Sequence, residues 1–237
     1  MPDGRTIAFR ERAGDEPTVV FLPGYMSDMA GSKASAIWQW SERFQRACLL
    51  FDYSGCGASG GDFAQGTLSR WCDEALALIT ERVDGPIVLV GSSMGGWLML
   101  LVAEALGNRV AGMIGIAAAP DFTRWGFTSA ERAKLASGET VFADNPYGPE
   151  PTPTHPGFFA DAEVRLRLDT TVAIDCPVRL FHGQRDADVP FDVSLRLAAA
   201  LRSDDIQVTL IKDGDHRLSR PRDIALFVRA LNKLAGD

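Results

Sequence analysis

The sequence has 237 residues, of which 46% are hydrophobic and 23% charged, and its formal net charge is −7 at pH 7. This length and balance predict one globular domain with a single large core. The basic residues are scattered through an acidic chain, which argues against a nucleic-acid-binding surface.

The N-terminal segment Met1–Arg5 contains no apolar stretch of the kind that forms the centre of a signal peptide. No apolar run elsewhere reaches the length of about 18 residues that a membrane-spanning helix needs. We therefore expect a cytoplasmic protein without an integral membrane segment.

Short, mostly apolar runs alternate with helical patterns along the chain. The runs predicted as strands are Val19–Leu22, Cys48–Phe51, Ile87–Val90, Val110–Ile116, Val178–Phe181 and Val208–Ile211. Such runs are typical of strands buried on both faces of a parallel sheet. Thr6–Arg10 alternates apolar and polar residues and is predicted as an edge strand.

The segments predicted as long helices are Thr67–Val83, Met94–Leu106, Phe191–Leu201 and Asp223–Leu234. Strands alternating with helices predict an α/β fold, with a mostly parallel central sheet and helices on both faces. The alternation stops between about residues 121 and 171, where five prolines lie close together and only Ser129–Ser137 has a helical pattern. We expect residues 1–120 and 172–237 to form the core, and residues 121–171, the lid insertion, to lie between two strands.

The clearest motif is Gly-Ser-Ser-Met-Gly-Gly at Gly91–Gly96, directly after the predicted strand Ile87–Val90 and before an apolar helix. This context is that of the G-x-S-x-G nucleophile elbow of the α/β-hydrolase fold, in which glycines make room for a sharply turned serine. Ser93 is therefore the predicted nucleophile. The helix that begins at Met94 directs its first N–H groups toward a developing oxyanion. An ordinary Gly/Ser turn is the alternative interpretation.

An acidic side chain is expected after a late strand of this fold, and Asp186 and Asp188 both follow Val178–Phe181. We favour Asp186, because hydrolases of this fold commonly have Gly-x-x-Asp-x-x-Val-Pro at this point. Its predicted role is to orient the catalytic base.

The base is chosen from three histidines. His155 lies in the proline-rich stretch, and His182 ends a strand, where packing or a backbone hydrogen bond explains it. His216 follows the last predicted strand and alone completes the chain order serine, acid, histidine. We therefore predict His216 as the base.

The oxyanion hole needs a second backbone donor from the loop after the first buried strand. There, Gly24 allows a substrate oxygen close to the backbone, and the N–H groups of Tyr25 and Met94 are predicted to donate together to the oxyanion.

The aromatic residues that could line an acyl pocket are Trp125, Phe127, Phe142, Tyr147, Phe158 and Phe159. The alternative is that these residues only anchor the lid insertion.

Gly55–Gly60 matches the dinucleotide motif G-x-G-x-x-G. The next helix starts only near Thr67, too late to place its N-terminus on a pyrophosphate, so nucleotide binding is not expected.

No two cysteines have C-x-x-C spacing, and all are predicted as packing residues: Cys48, Cys56, Cys72 and Cys176. We expect no metal and no organic cofactor.

Four segments resemble a known family: Phe21–Met29, Phe51–Ser59, Cys176–Gly183 and Asp215–Arg217. From about Val19 to Leu231 the chain is similar to the abhydrolase-domain-containing protein 10 family and its bacterial relatives. The resemblance implies hydrolysis of acyl esters or acyl thioesters, as in acyl-protein thioesterases and acyl-glucuronide esterases, with Ser93, Asp186 and His216 at the family's triad positions. Animal members are mitochondrial and carry a targeting segment that this chain lacks, so a bacterial cytoplasmic protein is expected.

We therefore expect a serine hydrolase acting on a small-molecule acyl ester or thioester, or on an acylated protein. Two other hypotheses about the function stay open. One is different chemistry on the same scaffold, such as that of a carbon–carbon bond hydrolase, haloperoxidase or peptidase. The other is a non-enzymatic ligand receptor, because an intact triad does not by itself exclude that role.

Overall fold

A seven-stranded, mostly parallel sheet forms the centre of the protein. The computed structural model describes residues 4–146 and 148–235. Its strands are β1 (Phe9–Arg12), β2 (Asp15–Leu22), β3 (Arg46–Phe51), β4 (Ile87–Ser92), β5 (Val110–Ile116), β6 (Val141–Ala143), β7 (Thr152–Thr154), β8 (Val178–Gly183) and β9 (Ile206–Ile211). The main sheet has the order β1-β3-β2-β4-β5-β8-β9, with β1 antiparallel to β3 and the other pairs parallel. Strands β6 and β7 form a separate antiparallel pair.

Helices cover both faces of this sheet. They are α1 (Ser32–Phe44), α2 (Leu68–Arg82), α3 (Met94–Leu106), α4 (Phe122–Trp125), α5 (Ser129–Ala136), α6 (Pro156–Glu163), α7 (Asp192–Ala200) and α8 (Pro221–Ala235). Helices α1 and α8 pack on one face, and α2, α3 and α7 on the other. Within the described part of the chain, no helix is both long and apolar enough to span a membrane.

The buried parts of the parallel strands are apolar on both faces because alternate residues point into two different cores. In β2, Val19 and Phe21 belong to the core beneath α1 and α8, whereas Val20 and Leu22 belong to the core beneath α2, α3 and α7. All four side chains are buried. A strand with this environment has no polar face, so its pattern reads as a continuous apolar run.

Each of the six predicted apolar runs lies within one of the parallel strands. The predicted edge strand is also present, but it begins at Phe9 rather than at Thr6. Helix α1 was not predicted. Its buried side chains include Ala34, Ile37 and Trp40 at helical spacing, but polar residues separate them and Gly31 provides no side-chain cap.

The lid insertion is more ordered than its sequence suggests. It contains α4, α5, the β6–β7 pair and α6, whereas only the helix at α5 was predicted. Helix α5 begins with a capping box in which the Thr128 N–H donates to Glu131 (2.8 Å) and the Glu131 N–H donates to the Thr128 hydroxyl (3.3 Å). Strand β7 includes Pro153, which has no N–H to donate to a ladder, so its sequence gives no strand signal.

The two ends of the lid insertion meet at Asp121. This residue is 2% exposed and adopts a left-handed backbone conformation with φ of 57°. Its carboxylate accepts hydrogen bonds from the N–H groups of Arg167 (2.8 and 3.0 Å) and Leu168 (2.7 Å). Burial raises the pKa of Asp121, and these bonds oppose that effect. One buried side chain therefore joins the start of the lid insertion to its end.

The four cysteines are free thiols. Cys48, Cys56 and Cys72 are buried, and Cys176 is half-buried. Burial raises the pKa of Cys48 and of Cys56 to about 12. Because the thiolate is the reactive form, these side chains act as small apolar packing groups at neutral pH.

Helix α3 approaches the sheet so closely that residue 95 has to be glycine. A Cβ atom on Gly95 would overlap the carbonyl oxygens of Leu22 and Pro23, whereas a Cβ atom on Gly157, within α6, would meet nothing within 4 Å. We expect Gly95→Ala to lower the free energy of unfolding by about 1–3 kcal/mol, because the helix must move away from the sheet. Gly157→Ala should leave stability unchanged or raise it by up to about 1 kcal/mol. Urea denaturation of the two variants tests this; equal unfolding free energies would contradict it.

Candidate active site

Ser93 occupies a strained turn between β4 and α3. Its φ of 55° and ψ of −124° lie outside the conformations that a residue with a side chain normally adopts. Three hydrogen bonds hold this conformation: the Ser93 N–H donates to Ile116 (3.0 Å), and its carbonyl accepts from Gly96 (2.8 Å) and Ala119 (3.0 Å). The turn lifts the Ser93 side chain into a cavity above the sheet.

The structure brings Ser93, His216 and Asp186 into one chain of hydrogen bonds. The Ser93 hydroxyl lies 3.1 Å from His216 Nε2, and His216 Nδ1 lies 2.9 Å from Asp186 Oδ2. A carboxylate only accepts, so the His216 proton is on Nδ1 and Nε2 is left to accept from the serine. The three residues come from the loops that follow β4, β9 and β8.

Asp186 is held as a buried carboxylate. Its side chain is 0% exposed, and its Oδ1 accepts hydrogen bonds from the N–H groups of Asp188 (2.9 Å) and Val189 (2.8 Å). Burial alone would raise the pKa of Asp186, but hydrogen bonds from His182, His216 and Val189, together with the charge of His216, hold it well below its ordinary value. Asp188, the rival candidate, is exposed and contributes its backbone N–H to this arrangement.

The two residues predicted to form the oxyanion hole are neighbours of Ser93: Met94 follows it in the chain, and Tyr25 lines the same cavity. Gly24 lines the same cavity, and a Cβ atom there would lie 3.3 Å from the Cβ of Ser93. Within the described chain, the N–H groups of Tyr25 and Met94 donate to no protein acceptor. The Tyr25 side chain is fixed separately, because its hydroxyl donates to the Pro153 carbonyl at 2.9 Å. The loop after β2 is therefore tied to the lid insertion.

The cavity that opens on Ser93 and His216 has a volume of about 340 Å³. Its wall includes Lys33 and Arg217, two positively charged residues that sequence reasoning did not place in the site, together with Asp28. Burial and the neighbouring Arg217 charge lower the pKa of Lys33 to about 8, against the opposing effect of Asp215. Arg217 could have been found from its place directly after His216, but Lys33 lies in the helix α1 that was not predicted.

The aromatic residues expected to bind substrate do not line this cavity, so that expectation needs correction. Trp125 donates its indole N–H to the Pro120 carbonyl (2.9 Å), and Phe127 packs against a small cluster within the lid insertion. Phe158 is 1% exposed and stacks on Phe122 in the main core. Phe158 is buried in the core between α2, α3 and the lid insertion, whereas Trp125 and Phe127 are half-buried, so these large apolar side chains serve as packing groups.

Other aromatic residues of the lid insertion lie elsewhere. Phe159 is buried in the same small cluster as Phe127, and Phe142 is 63% exposed. Tyr147 lies outside the described residues. Aromatic content alone indicated an acyl pocket, but it does not separate pocket residues from those that anchor a segment.

One group among the described residues has the ligand types for a metal ion: Asp186, Asp188 and His216, whose ligand atoms lie within 4.8 Å of one another. His216 Nδ1 and Asp186 Oδ2 already bind each other, so a cation there would have to break their hydrogen bond. The arrangement therefore fits proton transfer better than metal binding.

The parallel sheet, the strained serine after β4 and the acid and histidine after β8 and β9 define a protein with the α/β-hydrolase fold. Sequence comparison agrees: a model described as the alpha/beta hydrolase family matches residues 19–231. The chain belongs to this family, in the group that contains ABHD10.

Two kinds of relative support this assignment. The chain is 37% identical to human palmitoyl-protein thioesterase ABHD10, mitochondrial, over 98% of its own length and 78% of the human protein. It superposes on mouse ABHD10 with a TM-score of 0.90 and 34% identity, covering 97% of this chain and 94% of the mouse chain. A crystal structure of a protein from Agrobacterium vitis S4 matches with a TM-score of 0.92 and 39% identity, covering 97% and 93%.

These relatives contradict the cytoplasmic location expected from the sequence. The human and mouse proteins are both named as mitochondrial. The expectation was wrong because it relied on the composition of the first few residues, and the point at which a sequence begins does not determine its compartment.

The two candidate acids can be separated by matched variants. Asp186→Asn should lower kcat/KM for an activated acyl ester about 10³- to 10⁴-fold, because the amide offers an N–H to His216 and favours the wrong tautomer. Asp188→Asn keeps the backbone N–H that binds Asp186, so its kcat/KM should stay close to that of the wild type. Steady-state kinetics of the two variants make the comparison; a larger loss in Asp188→Asn would reverse the assignment.

Proposed function

We propose that this protein is a serine hydrolase that cleaves acyl esters or acyl thioesters through an acyl-enzyme on Ser93. The observation that carries the proposal is the continuous chain from Ser93 through His216 to the buried Asp186, with distances of 3.1 and 2.9 Å. The name of the human relative, a palmitoyl-protein thioesterase, supports acyl chemistry, with an acylated protein or a small acyl compound as substrate.

In the proposed first step, the Ser93 oxygen attacks the acyl carbonyl carbon while His216 Nε2 takes the hydroxyl proton. Asp186 stabilises the resulting imidazolium through the Nδ1–H. The carbonyl oxygen becomes an oxyanion, to which the N–H groups of Tyr25 and Met94 donate. Collapse of this intermediate breaks the bond to the leaving group, which receives the proton from His216.

In the second step, water attacks the acyl-enzyme. His216 accepts a proton from the water, a second oxyanion forms at the same donors, and the carboxylic acid leaves as Ser93 regains its proton. An ester and a thioester need the same groups, so the triad by itself does not separate them.

The cavity wall favours a leaving group that carries negative charge. Lys33 and Arg217 lie on this wall, and α1 begins there without an acidic residue in its first turn. The positive end of a helix attracts anions and adds to the two side-chain charges. A carboxylate or phosphate on the leaving group would therefore be attracted to this wall, although the net charge of the whole chain is −7.

The proposal is tested with a thioester and an oxygen ester that share one medium-length acyl chain. The wild type should hydrolyse at least one, and Ser93→Ala should lower kcat by about 10⁴-fold or more, because the nucleophile is lost. The ratio of the two wild-type kcat/KM values then assigns thioesterase or esterase. A Ser93→Ala variant that keeps the wild-type rate would exclude the acyl-enzyme, and no turnover of either compound would favour a receptor or another reaction.

The role of Lys33 is tested with two esters of the same acid, one with a neutral leaving group and one with a carboxylate. Lys33→Met should lower kcat/KM for the charged ester by about three- to tenfold and affect the neutral ester less. Because its pKa is about 8, Lys33 is charged below that pH and neutral above it. The wild-type preference for the charged ester should therefore decline as pH rises through 8, and a preference that is constant from pH 7 to 9 would contradict the assignment.

A further inference from the structure

Two histidines contact the same oxygen atom of Asp186. His216 Nδ1 lies 2.9 Å from Oδ2, and His182 Nε2 lies 3.2 Å from it. His216 reaches Oδ2 from the cavity side, whereas His182 is the penultimate residue of β8 and is completely buried, with 0% exposure. The triad assigned to the proposed function uses only the first of these contacts.

The neighbours of His182 determine where its proton lies. Its Nε2 is 3.0 Å from the Val189 carbonyl oxygen, which can only accept, so Nε2 carries the hydrogen. Its Nδ1 lies 2.7 Å from the hydroxyl of Ser194, a fully buried residue of α7. That hydroxyl can donate to Nδ1 and leave the ring neutral. The Nε2–H is then shared between Val189 and Asp186 Oδ2.

We propose that His182 is a positioning residue for the hydrolysis assigned above: its Nε2–H fixes Oδ2 of Asp186 and limits how strongly that oxygen attracts the His216 imidazolium. The inference rests on the proposed function. The inference extends that function because it adds two buried residues, His182 and Ser194, which support Asp186 on the side away from the substrate.

The effect of His182 depends on how negative charge is distributed over the two oxygens of the Asp186 carboxylate. Oδ1 is already bound by two backbone N–H groups, so Oδ2 carries the interaction with His216. Removing the His182 donor leaves more negative charge on Oδ2, which stabilises the imidazolium form of His216 relative to the neutral form. Catalysis needs neutral His216, so the acid limb of the pH profile moves to higher pH.

Substitution of His182 leaves the other charged groups near His216 unchanged. Asp188 belongs to the turn that holds Asp186, and its ligand atom lies within 4.8 Å of those of Asp186 and His216. Lys33 and Arg217 line the cavity on the substrate side. Helix α7 contributes Ser194, which does not titrate in the working range. A shift of the pH profile in a His182 variant therefore has to act through Asp186.

The test compares His182→Leu with His182→Gln. Leucine removes the donor at similar volume, whereas the glutamine side chain can return an N–H to the position of Nε2. We expect His182→Leu to lower kcat by about 10- to 100-fold with a smaller change in KM, and to move the acid limb of kcat/KM upward by about half a pH unit. His182→Gln should restore most of the rate and the wild-type pH profile.

A wild-type measurement covers the case in which His182→Leu does not fold. The chain has three histidines, so nitrogen-detected NMR can assign each ring. We expect one buried histidine to have a slowly exchanging Nε2–H and a bare Nδ1. A buried ring protonated on Nδ1 alone would overturn the proposal.

The outcomes also separate this inference from the function on which it rests. If Ser93→Ala is as active as the wild type, the proposed function fails. If Ser93→Ala is inactive but folded His182→Leu keeps the wild-type kcat and pH profile, only the role of His182 fails. Thermal unfolding of each variant shows whether a loss of rate reflects loss of the fold.

Discussion

The candidate site depends on one constraint, the close approach of helix α3 to the sheet at Ser93. The backbone of Ser93 has a positive φ, and hydrogen bonds on both sides hold it there. Gly91 and Gly95 make the approach possible, because a Cβ atom on either would overlap neighbouring backbone. The strained residue costs of the order of 1–3 kcal/mol, which the packed core around α3 offsets. Because of this turn, Ser93 directly precedes the N-terminus of α3, which begins at Met94.

The other groups reach that point because parallel strands end at a common edge. The loops after β2, β4, β8 and β9 all follow the carboxyl ends of their strands. The resulting site has two sides of opposite charge. Behind His216 lies a carboxylate that accepts several N–H groups, and in front of it lies a cavity wall with Lys33 and Arg217. In the proposed mechanism, the Asp186 side stabilises protonated His216, and the opposite wall attracts a negatively charged leaving group.

The sequence predicted the parts of this protein that follow from local rules. Buried strands read as apolar runs, and the serine, acid and histidine candidates lie at strand ends, where the motif order placed them. Helix α1 was missed because its apolar residues are diluted by polar ones, and Lys33 was missed with it. The positions of Phe127 and Phe158 could not be predicted, since an aromatic side chain fits a pocket or a core equally well. The contact between His182 and Asp186 depends on how the chain after β8 folds back, which spacing does not encode.

The hydrogen bonds from Arg167 and Leu168 to Asp121 have a consequence for how this scaffold can diversify. These bonds bring both ends of the lid insertion together, so the chain leaves and rejoins the core at one place, while Pro153 and Phe158 contact the core elsewhere. A segment with joined ends can be lengthened, shortened or exchanged at little entropic cost to the sheet that carries it. A different segment grafted between the same two anchor points would therefore also have to replace the buried contacts that Phe158 makes in the main core.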